Sequence, residues 1–251
     1  MSTVERTEAG TRKRRTTVRR SHMAVVCASA LGFAHVLWLG RTYGSTPGER
    51  ARVLPGDDIV VDPDVVTNHA ITIDAPCDAV WPWLVQMGWH RAGWYTAGWV
   101  DRLLFPDNLP STSRIIPELQ NTAVGDFIPD GPPKTGCGFI VERLDPERAL
   151  VLHSTTHLPR SWRTKRNVAL DWSWAFVLRP VDEGRRTRFQ FRSRWTTAPW
   201  WLTAGSRLAV VPADFVMSRS MLRGVKRRAE GFAFRGAPDT APPVVAVRKS
   251  A

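Results

Sequence analysis

The chain has 251 residues, 43% of them hydrophobic, which is enough for one medium-sized domain with a real core and flanking segments. This composition excludes a disordered chain and a fibrous protein. The formal net charge of +12 points first to nucleic acid or an anionic membrane, so the position of the charge along the chain decides its meaning.

The basic charge lies at the two ends. Residues 1–22 carry seven Lys and Arg against two Glu, residues 219–251 carry eight against two acidic residues, and residues 23–218 have a net charge of only +1. A nucleic-acid-binding domain instead spreads basic and aromatic residues over a folded face and carries a recognisable motif, and the sequence has no such motif. We therefore expect no nucleic-acid partner.

The N-terminus combines a polar, basic segment at 1–22, which is predicted to be disordered, with an apolar segment at 23–40. The apolar run from Met23 to Leu39 is 17 residues long, close to the lower limit for crossing a bilayer. It fits a cleaved signal peptide or a signal anchor whose basic flank stays inside. It also fits a helix packed on the domain, or an over-extended start if translation begins at Met23. The anchor is the preferred interpretation, giving a membrane-associated protein with its N-terminus inside; the alternative is a cytoplasmic protein.

The rest of the chain predicts a linker arm, one domain and a tail. Residues 41–65 are rich in Gly, Pro and Asp, as expected for a linker arm. The domain is assigned to 66–232 and a disordered tail to 233–251. Within the domain, the pattern predicts strands and helices in this order: a strand at 69–73, a helix at 76–88, a short helix at 96–105, strands at 126–128, 138–144, 149–153, 170–178 and 187–196, and a long helix at 208–229.

The last two predicted strands alternate clearly and so define two faces of a sheet. One face is aromatic, and the opposite face carries Arg188, Gln190, Arg192 and Arg194. Because the long C-terminal helix is the only other long apolar pattern, we expect it to cover the aromatic face. The sequence therefore predicts an α+β fold with an antiparallel meander packed on a C-terminal helix.

Several segments resemble one known family: residues 71–76 (ITIDAP), 80–88 (VWPWLVQMG), 91–95 (RAGWY), 114–120 (RIIPELQ), 124–126 (VGD), 174–178 (WAFVL) and 221–228 (MLRGVKRR). In these segments, and in its order of elements, the chain is similar to the START and Bet v superfamily, abbreviated SRPBCC, in a bacterial polyketide cyclase/dehydrase and lipid-transport-like branch. The resemblance covers residues 54–230. It implies the helix-grip fold, in which a curved antiparallel sheet wraps a long C-terminal helix and encloses a hydrophobic cavity.

Common catalytic and metal-binding signatures are absent from the sequence. Cys27, Cys77 and Cys137 are scattered, so free thiols are expected, with a Cys77–Cys137 disulfide as the alternative. His153 and His157 leave a strand for a loop and lack an obvious third ligand, so no metal site is predicted. No cofactor is expected.

Aromatic residues are the predicted ligand contacts, because small-molecule cavities are mostly apolar with a few polar groups. These candidates are Trp94, Tyr95, Trp172, Trp174, Phe176, Phe189 and Trp195. Each of them also fits a plain core position. Arg114 and Glu118, with Tyr95, are the polar candidates at the cavity mouth. The preferred interpretation of Arg114 and Glu118, however, is a structural ion pair that holds an irregular loop in place.

The sequence therefore predicts a protein that binds a hydrophobic small molecule or lipid and is tethered to a membrane. The alternative is an enzyme of the polyketide cyclase or dehydrase type, with Tyr95, Arg114 and Glu118 transferring protons. A third hypothesis is an interaction protein whose basic ends dock on anionic lipid. Whether the chain is catalytic, which ligand it takes and how many copies assemble stay open.

Overall fold

The computed structural model describes residues 25–104, 106–165 and 167–235. The predicted disordered segment at 1–22 and residues 236–251 of the predicted tail lie outside the described residues. The strands are β1 (Val65–Ile73), β2 (Phe127–Pro129), β3 (Gly138–Asp145), β4 (Ala149–Ser154), β5 (Ala169–Val181) and β6 (Arg186–Ala198). The helices are α1 (Val25–Thr42), α2 (Pro47–Ala51), α3 (Cys77–Val85), α4 (Gly98–Leu104), α5 (Arg160–Arg163), α6 (Trp200–Gly205) and α7 (Val211–Arg235).

The six strands form one antiparallel sheet in the order β1-β6-β5-β4-β3-β2. Every strand that the sequence predicts is present. The chain from β2 to β6 is the expected meander, and β1 completes the sheet by pairing with β6 from Val65 opposite Trp195 to Ile73 opposite Thr187. β1 starts four residues before its predicted start. Its pairing with β6 extends back to Val65, through residues that do not alternate between apolar and polar.

Helix α7 crosses the aromatic face of the sheet. Its buried side chains, including Met221, Leu222 and Val225, belong to the same core cluster as Phe176 and Phe189. Burial of each large apolar side chain contributes roughly 1.5–3 kcal/mol, so this contact is a main source of stability. The α+β helix-grip architecture predicted from the sequence is confirmed.

A turn of π-helix at Ser206–Val210 joins α6 to α7. The i to i+5 hydrogen bonding of such a turn adds a residue to the helix and shifts the side chains that follow it. α6, this turn and α7 therefore form one nearly continuous helical segment that begins at the end of β6.

The arm between α1 and β1 covers the outer, polar face of the sheet. Thr46 caps α2, whose buried Glu49 pairs with Arg188 (Nε–Oε1 2.8 Å) and Arg179 (Nη2–Oε1 2.9 Å). Further along the arm, the Asp57 carboxylate lies 2.5 Å from Arg192 Nη1. Arg188 and Arg192 of β6 are thus paired with carboxylates of the arm, which packs on the sheet as a structural layer.

Helix α1 contacts the domain only near its C-terminal end. The Gly40 carbonyl lies 2.8 Å from His69 Nε2, and the Tyr43 ring lies 5.5 Å from that of Phe215. Apolar side chains earlier in the helix, such as Leu31 and Phe33, are exposed. α1 is long and apolar enough to cross a membrane, a property that signal sequences and core helices share.

Cys77 and Cys137 are free and half-buried, so the Cys77–Cys137 disulfide does not form. Burial raises the pKa of the Cys137 thiol to about 12 and raises that of Cys77 as well. Both thiols are therefore protonated and poorly nucleophilic near neutral pH.

Candidate functional site

A cavity of about 150 Å³ lies between the sheet and the helical segment formed by α6, the π-helical turn and α7. β5 and β6 supply its floor, the loop after β4 supplies one side, and the helical segment supplies its roof. The walls are mainly apolar. The lining residues are His157, Leu158, Leu170, Trp172, Trp195, Thr197, Leu202, Ser206, Val210 and Asp214.

Asp214, in the first turn of α7, is the acidic group in this wall. Its Oδ2 atom is buried and has no hydrogen-bond partner among the described residues. Burial raises the pKa of this carboxyl from 3.8 to about 7, a shift that the Ser218 hydroxyl opposes only in part. Near neutral pH, Asp214 is therefore divided between its protonated and ionised forms.

His157 lines the opposite side of the cavity, but both of its ring nitrogens are occupied. Nε2 lies 2.9 Å from Asp130 Oδ2, and Nδ1 lies 2.8 Å from Ser154 Oγ. The imidazole also packs 4.7 Å from the ring of Trp172. His157 is consequently a fixed part of the wall, with no ring nitrogen left for a ligand.

A second, wider groove of about 580 Å³ adjoins the cavity and shares Leu158, Leu170 and Thr197 with it. Its remaining lining is more polar and includes Arg163 and Asp171. The two spaces together offer an apolar inner compartment and a more polar outer one.

His153 and His157 are paired to different carboxylates. His153 Nε2 lies 2.6 Å from Asp171 Oδ1, whereas His157 is bound to Asp130 as described above. Across residues 25–104, 106–165 and 167–235, no group of three His, Cys, Asp or Glu side chains is arranged to hold a metal ion.

The predicted aromatic contacts separate into two sets. Trp172 and Trp195 line the cavity. The others are fully buried. Tyr95 packs on Trp83, and the rest form a ring cluster in which Trp174 lies 5.5 Å from Trp94 and 4.7 Å from Phe176. Phe189 packs 6.2 Å from Phe176 in the same cluster. Ligand contact by any of these side chains stays a prediction. In the structure, the second set occupies core positions.

The predicted polar mouth at Tyr95, Arg114 and Glu118 lies on a different part of the molecule. The Tyr95 hydroxyl is buried, donates to the Trp83 carbonyl (2.9 Å) and accepts from Gln86 Nε2 (2.8 Å). Burial raises the pKa of this hydroxyl above its ordinary value. Tyr95 is therefore held in place as a neutral phenol.

Glu118 is exposed on a short 3-10 turn at Pro117–Leu119, so its carboxylate faces solvent and does not line the cavity. The Arg114 carbonyl accepts a hydrogen bond from Gln86 Nε2 (3.1 Å), and Gln86 Oε1 accepts one from the Ile116 amide (2.9 Å). Gln86 thus fixes this loop to α3. The sequence could not predict the positions of Arg114 and Glu118, because the loop has no regular pattern of apolar residues.

The sequence reasoning missed Asp214 and Ser206. A signal for Asp214 was present: it lies three residues after Val211 and four before Ser218, which places it on the buried face of the helix. A lone carboxylate on such a face is uncommon and marks a candidate site.

No protein-family model matches the chain, and no curated protein matches it. Among solved structures it is similar to a hypothetical protein from Helicobacter pylori, with 12% identity over 71% of this chain and 96% of that one and a TM-score of 0.44. It is similar to the Zhui aromatase/cyclase from Streptomyces sp. R1128 (17% identity, 67% and 94%, TM-score 0.37). It is also similar to a truncated norcoclaurine synthase from Thalictrum flavum (13% identity, 63% and 91%, TM-score 0.37). Similarity at this level says nothing about ligand or activity.

Proposed function

We propose that this chain binds a small, mainly apolar molecule in the cavity beneath α6 and α7. The observation that carries the proposal is the combination of apolar walls with the Asp214 carboxyl, whose Oδ2 atom is buried without a hydrogen-bond partner among the described residues. Small-molecule sites have this composition, with apolar area supplying affinity and a few polar groups fixing orientation. A carboxyl buried without a partner destabilises the fold, so its presence in a cavity wall favours a binding role.

The cavity volume limits the ligand. At about 150 Å³, the inner compartment is smaller than most small-molecule pockets and comparable with an apolar cavity that holds benzene. It accommodates about one ring or a short branched chain. A larger molecule, such as a lipid, fits only if one part of it occupies the cavity and the rest lies in the outer groove.

A membrane anchor at α1 completes the proposal. Its exposed apolar side chains and the basic residues 1–22 fit a single signal anchor with the N-terminus inside. Trp200, 79% exposed at the start of α6, is well suited to the polar interface of the same bilayer, where Trp is enriched.

The alternative is an enzyme of the cyclase or dehydrase type. Its strongest support is the Asp214 carboxyl, because a carboxyl whose pKa lies near 7 suits general acid or base chemistry. The groups proposed earlier, Tyr95 and Glu118, offer less: the Tyr95 hydroxyl is already hydrogen-bonded on both sides and Glu118 faces solvent. Catalysis in the cavity would also require that it bind a substrate, so binding is the first property to test.

A filled-cavity variant tests the proposal on the full-length chain in nanodiscs. Leu202 lines the cavity, whereas Leu208 lies six residues further along the same helical segment and is exposed, so Leu208→Trp is a matched control for Leu202→Trp. Toluene is the probe. At tenfold its Kd it should raise the melting temperature of the wild type and of Leu208→Trp by about 3–6 °C, and it should leave Leu202→Trp unchanged. Equal shifts in all three proteins, or none in the wild type, would contradict binding in this cavity.

A further inference from the structure

We infer that the ligand carries a protonated amine, with its ammonium group paired to Asp214 and its apolar body against Trp172 and Trp195. This inference rests on the proposed function, since it specifies the ligand of the same cavity.

The first support is that Asp214 has no cationic partner among the described residues. The lining residues include no Lys or Arg, and Asp214 takes part in none of the ion pairs among the described residues. Other buried carboxylates of this protein are treated differently: Glu49 binds two arginines, and Asp57 also binds two, Arg192 and Arg194. Asp214 is the carboxylate that the fold leaves for an outside partner.

The second support is the ionisation of the carboxyl. Burial alone raises the pKa of Asp214 to about 7, and a cation beside it would lower that pKa again. A ligand ammonium therefore binds the ionised form at neutral pH and relieves the cost of burying it. A purely apolar ligand gains nothing from this group.

The third support is the aromatic wall. Trp172 and Trp195 lie on β5 and β6 with ring centroids 6.3 Å apart, and both line the cavity with Asp214 above them. Aromatic rings beside a carboxylate are suited to an ammonium ion, because the rings attract the cation electrostatically and pack against its carbon substituents. The cavity volume of about 150 Å³ restricts the ligand to a compact amine.

Three probes of similar size separate an ammonium from the alternatives. Benzylamine carries the charge, benzyl alcohol is a neutral donor and acceptor, and toluene has no polar group. The alcohol matters because Trp172 Nε1 is also buried without a hydrogen-bond partner among the described residues and would donate to a hydroxyl oxygen. Affinities are measured by calorimetry at pH 7.5 on the full-length chain in nanodiscs, with empty nanodiscs subtracted.

We expect benzylamine to bind at least about tenfold more tightly than either neutral probe. Asp214→Asn should weaken benzylamine binding at least about tenfold and leave toluene within about twofold. Asp62→Asn is the matched control, because Asp62 is exposed and lines neither the cavity nor the adjoining groove; it should leave all three affinities within about twofold.

Two results would overturn the inference and leave the proposed function standing. One is tighter binding of benzyl alcohol or toluene than of benzylamine, and the other is an unchanged benzylamine affinity in Asp214→Asn. If no probe binds the wild type, the proposed function fails together with the inference.

Discussion

At the scale of single residues, Gly224 decides how closely α7 approaches the rest of the core. A Cβ atom at this position would overlap the carbonyl oxygen of Tyr95, whereas one at Gly231, in the same helix, would meet nothing within 4 Å. Gly224→Ala should therefore lower the free energy of unfolding by about 2–4 kcal/mol. Gly231→Ala should raise it by about 0.5–1 kcal/mol, because Ala favours the helix. Urea denaturation measures both, and similar effects at the two positions would contradict this packing.

Asp214 gives the stability of the ligand-free protein a specific dependence on pH. Its pKa is about 7 in the folded protein against an ordinary value of 3.8, so the folded state holds this proton more tightly. The contribution of this group to the unfolding free energy is therefore most favourable below pH 4, falls as the pH rises towards 7, and is level above that. The full change is about 4 kcal/mol.

Asp214→Asn removes this dependence. The stability of the variant relative to the wild type should be greater at pH 8 than at pH 5 by about 3 kcal/mol. His157, the other titratable residue of the cavity wall, is present in both proteins and cancels in the comparison. Urea denaturation at the two pH values measures the difference; a difference that does not change with pH would argue against a raised pKa.

How far these residues could be predicted depends on the regularity of their surroundings. Trp172 and Trp195 were placed on the inner face because strands alternate with a period of two. Asp214 was visible as a carboxylate on a buried helical face, but periodicity cannot distinguish a cavity wall from a filled core. Glu118 lies in an irregular loop whose path depends on hydrogen bonds to Gln86, 32 residues earlier, so its exposure could not be inferred.

At the scale of elements, the arm is held to the sheet by charge. Glu49 of α2 is buried and accepts hydrogen bonds from Arg188 Nε (2.8 Å) and Arg179 Nη2 (2.9 Å). The hydrogen bond from Arg188 is the main reason that the pKa of Glu49 falls from 4.5 to about 2. A lowered pKa stabilises the fold above the ordinary value, so about 3 kcal/mol is present above pH 4.5 and is lost as the pH falls towards 2.

Glu49→Gln should lower the free energy of unfolding by about 2–4 kcal/mol at pH 7, because it leaves Arg188 and Arg179 without their counter-charge. Glu183→Gln is the control: Glu183 is exposed and lies 3.9 Å from Arg185, so its loss should cost less than about 0.5 kcal/mol. Glu49→Gln should also lose less stability than the wild type between pH 4.5 and pH 2. Equal acid sensitivity of the two proteins would show that another group controls acid unfolding.

The sheet and helices were predictable, whereas the docking of the arm was not. Strand alternation, the turn residues between strands and the long apolar pattern of α7 are local signals. The Gly- and Pro-rich composition of 41–65 says only that this segment lacks regular structure. The arginines on the polar face of β6 did indicate that something covers that face, because β6 has a strand on each side and its arginines need partners. Nothing in the sequence specifies that Glu49 and Asp57 are those partners.

At the scale of the whole molecule, the proposed anchor and the proposed ligand site meet on the same turns of α7. The end of α1 packs Gly40 against Val211 and Tyr43 against Phe215. Val211 and Phe215 flank Asp214 along α7, three residues before it and one after. A displacement of α1 would therefore act directly on the turn that carries the cavity carboxyl.

A charge placed in the exposed part of α1 tests the anchor. Leu31 is 72% exposed in the middle of α1, and Val53 is 87% exposed on the arm, so an Arg at either position fits the folded domain without a clash. In a bilayer, however, Arg near the centre of a spanning helix costs about 2.5 kcal/mol or more. Leu31→Arg should therefore move much of the protein from the membrane fraction to the soluble fraction or to degradation, while Val53→Arg should remain with the membrane.

The stability of the folded domain should be unchanged by both substitutions, because neither side chain belongs to its core. Melting of the detergent-solubilised variants should agree with the wild type within about 2 °C. If Leu31→Arg stays with the membrane as the wild type does, a spanning α1 is not what holds the protein there. If the wild type is itself soluble, α1 is a helix that packs on the domain at Gly40 and Tyr43. A loss of thermal stability in Leu31→Arg alone would likewise show that α1 contributes to the folded domain along its length, in conflict with its exposed surface.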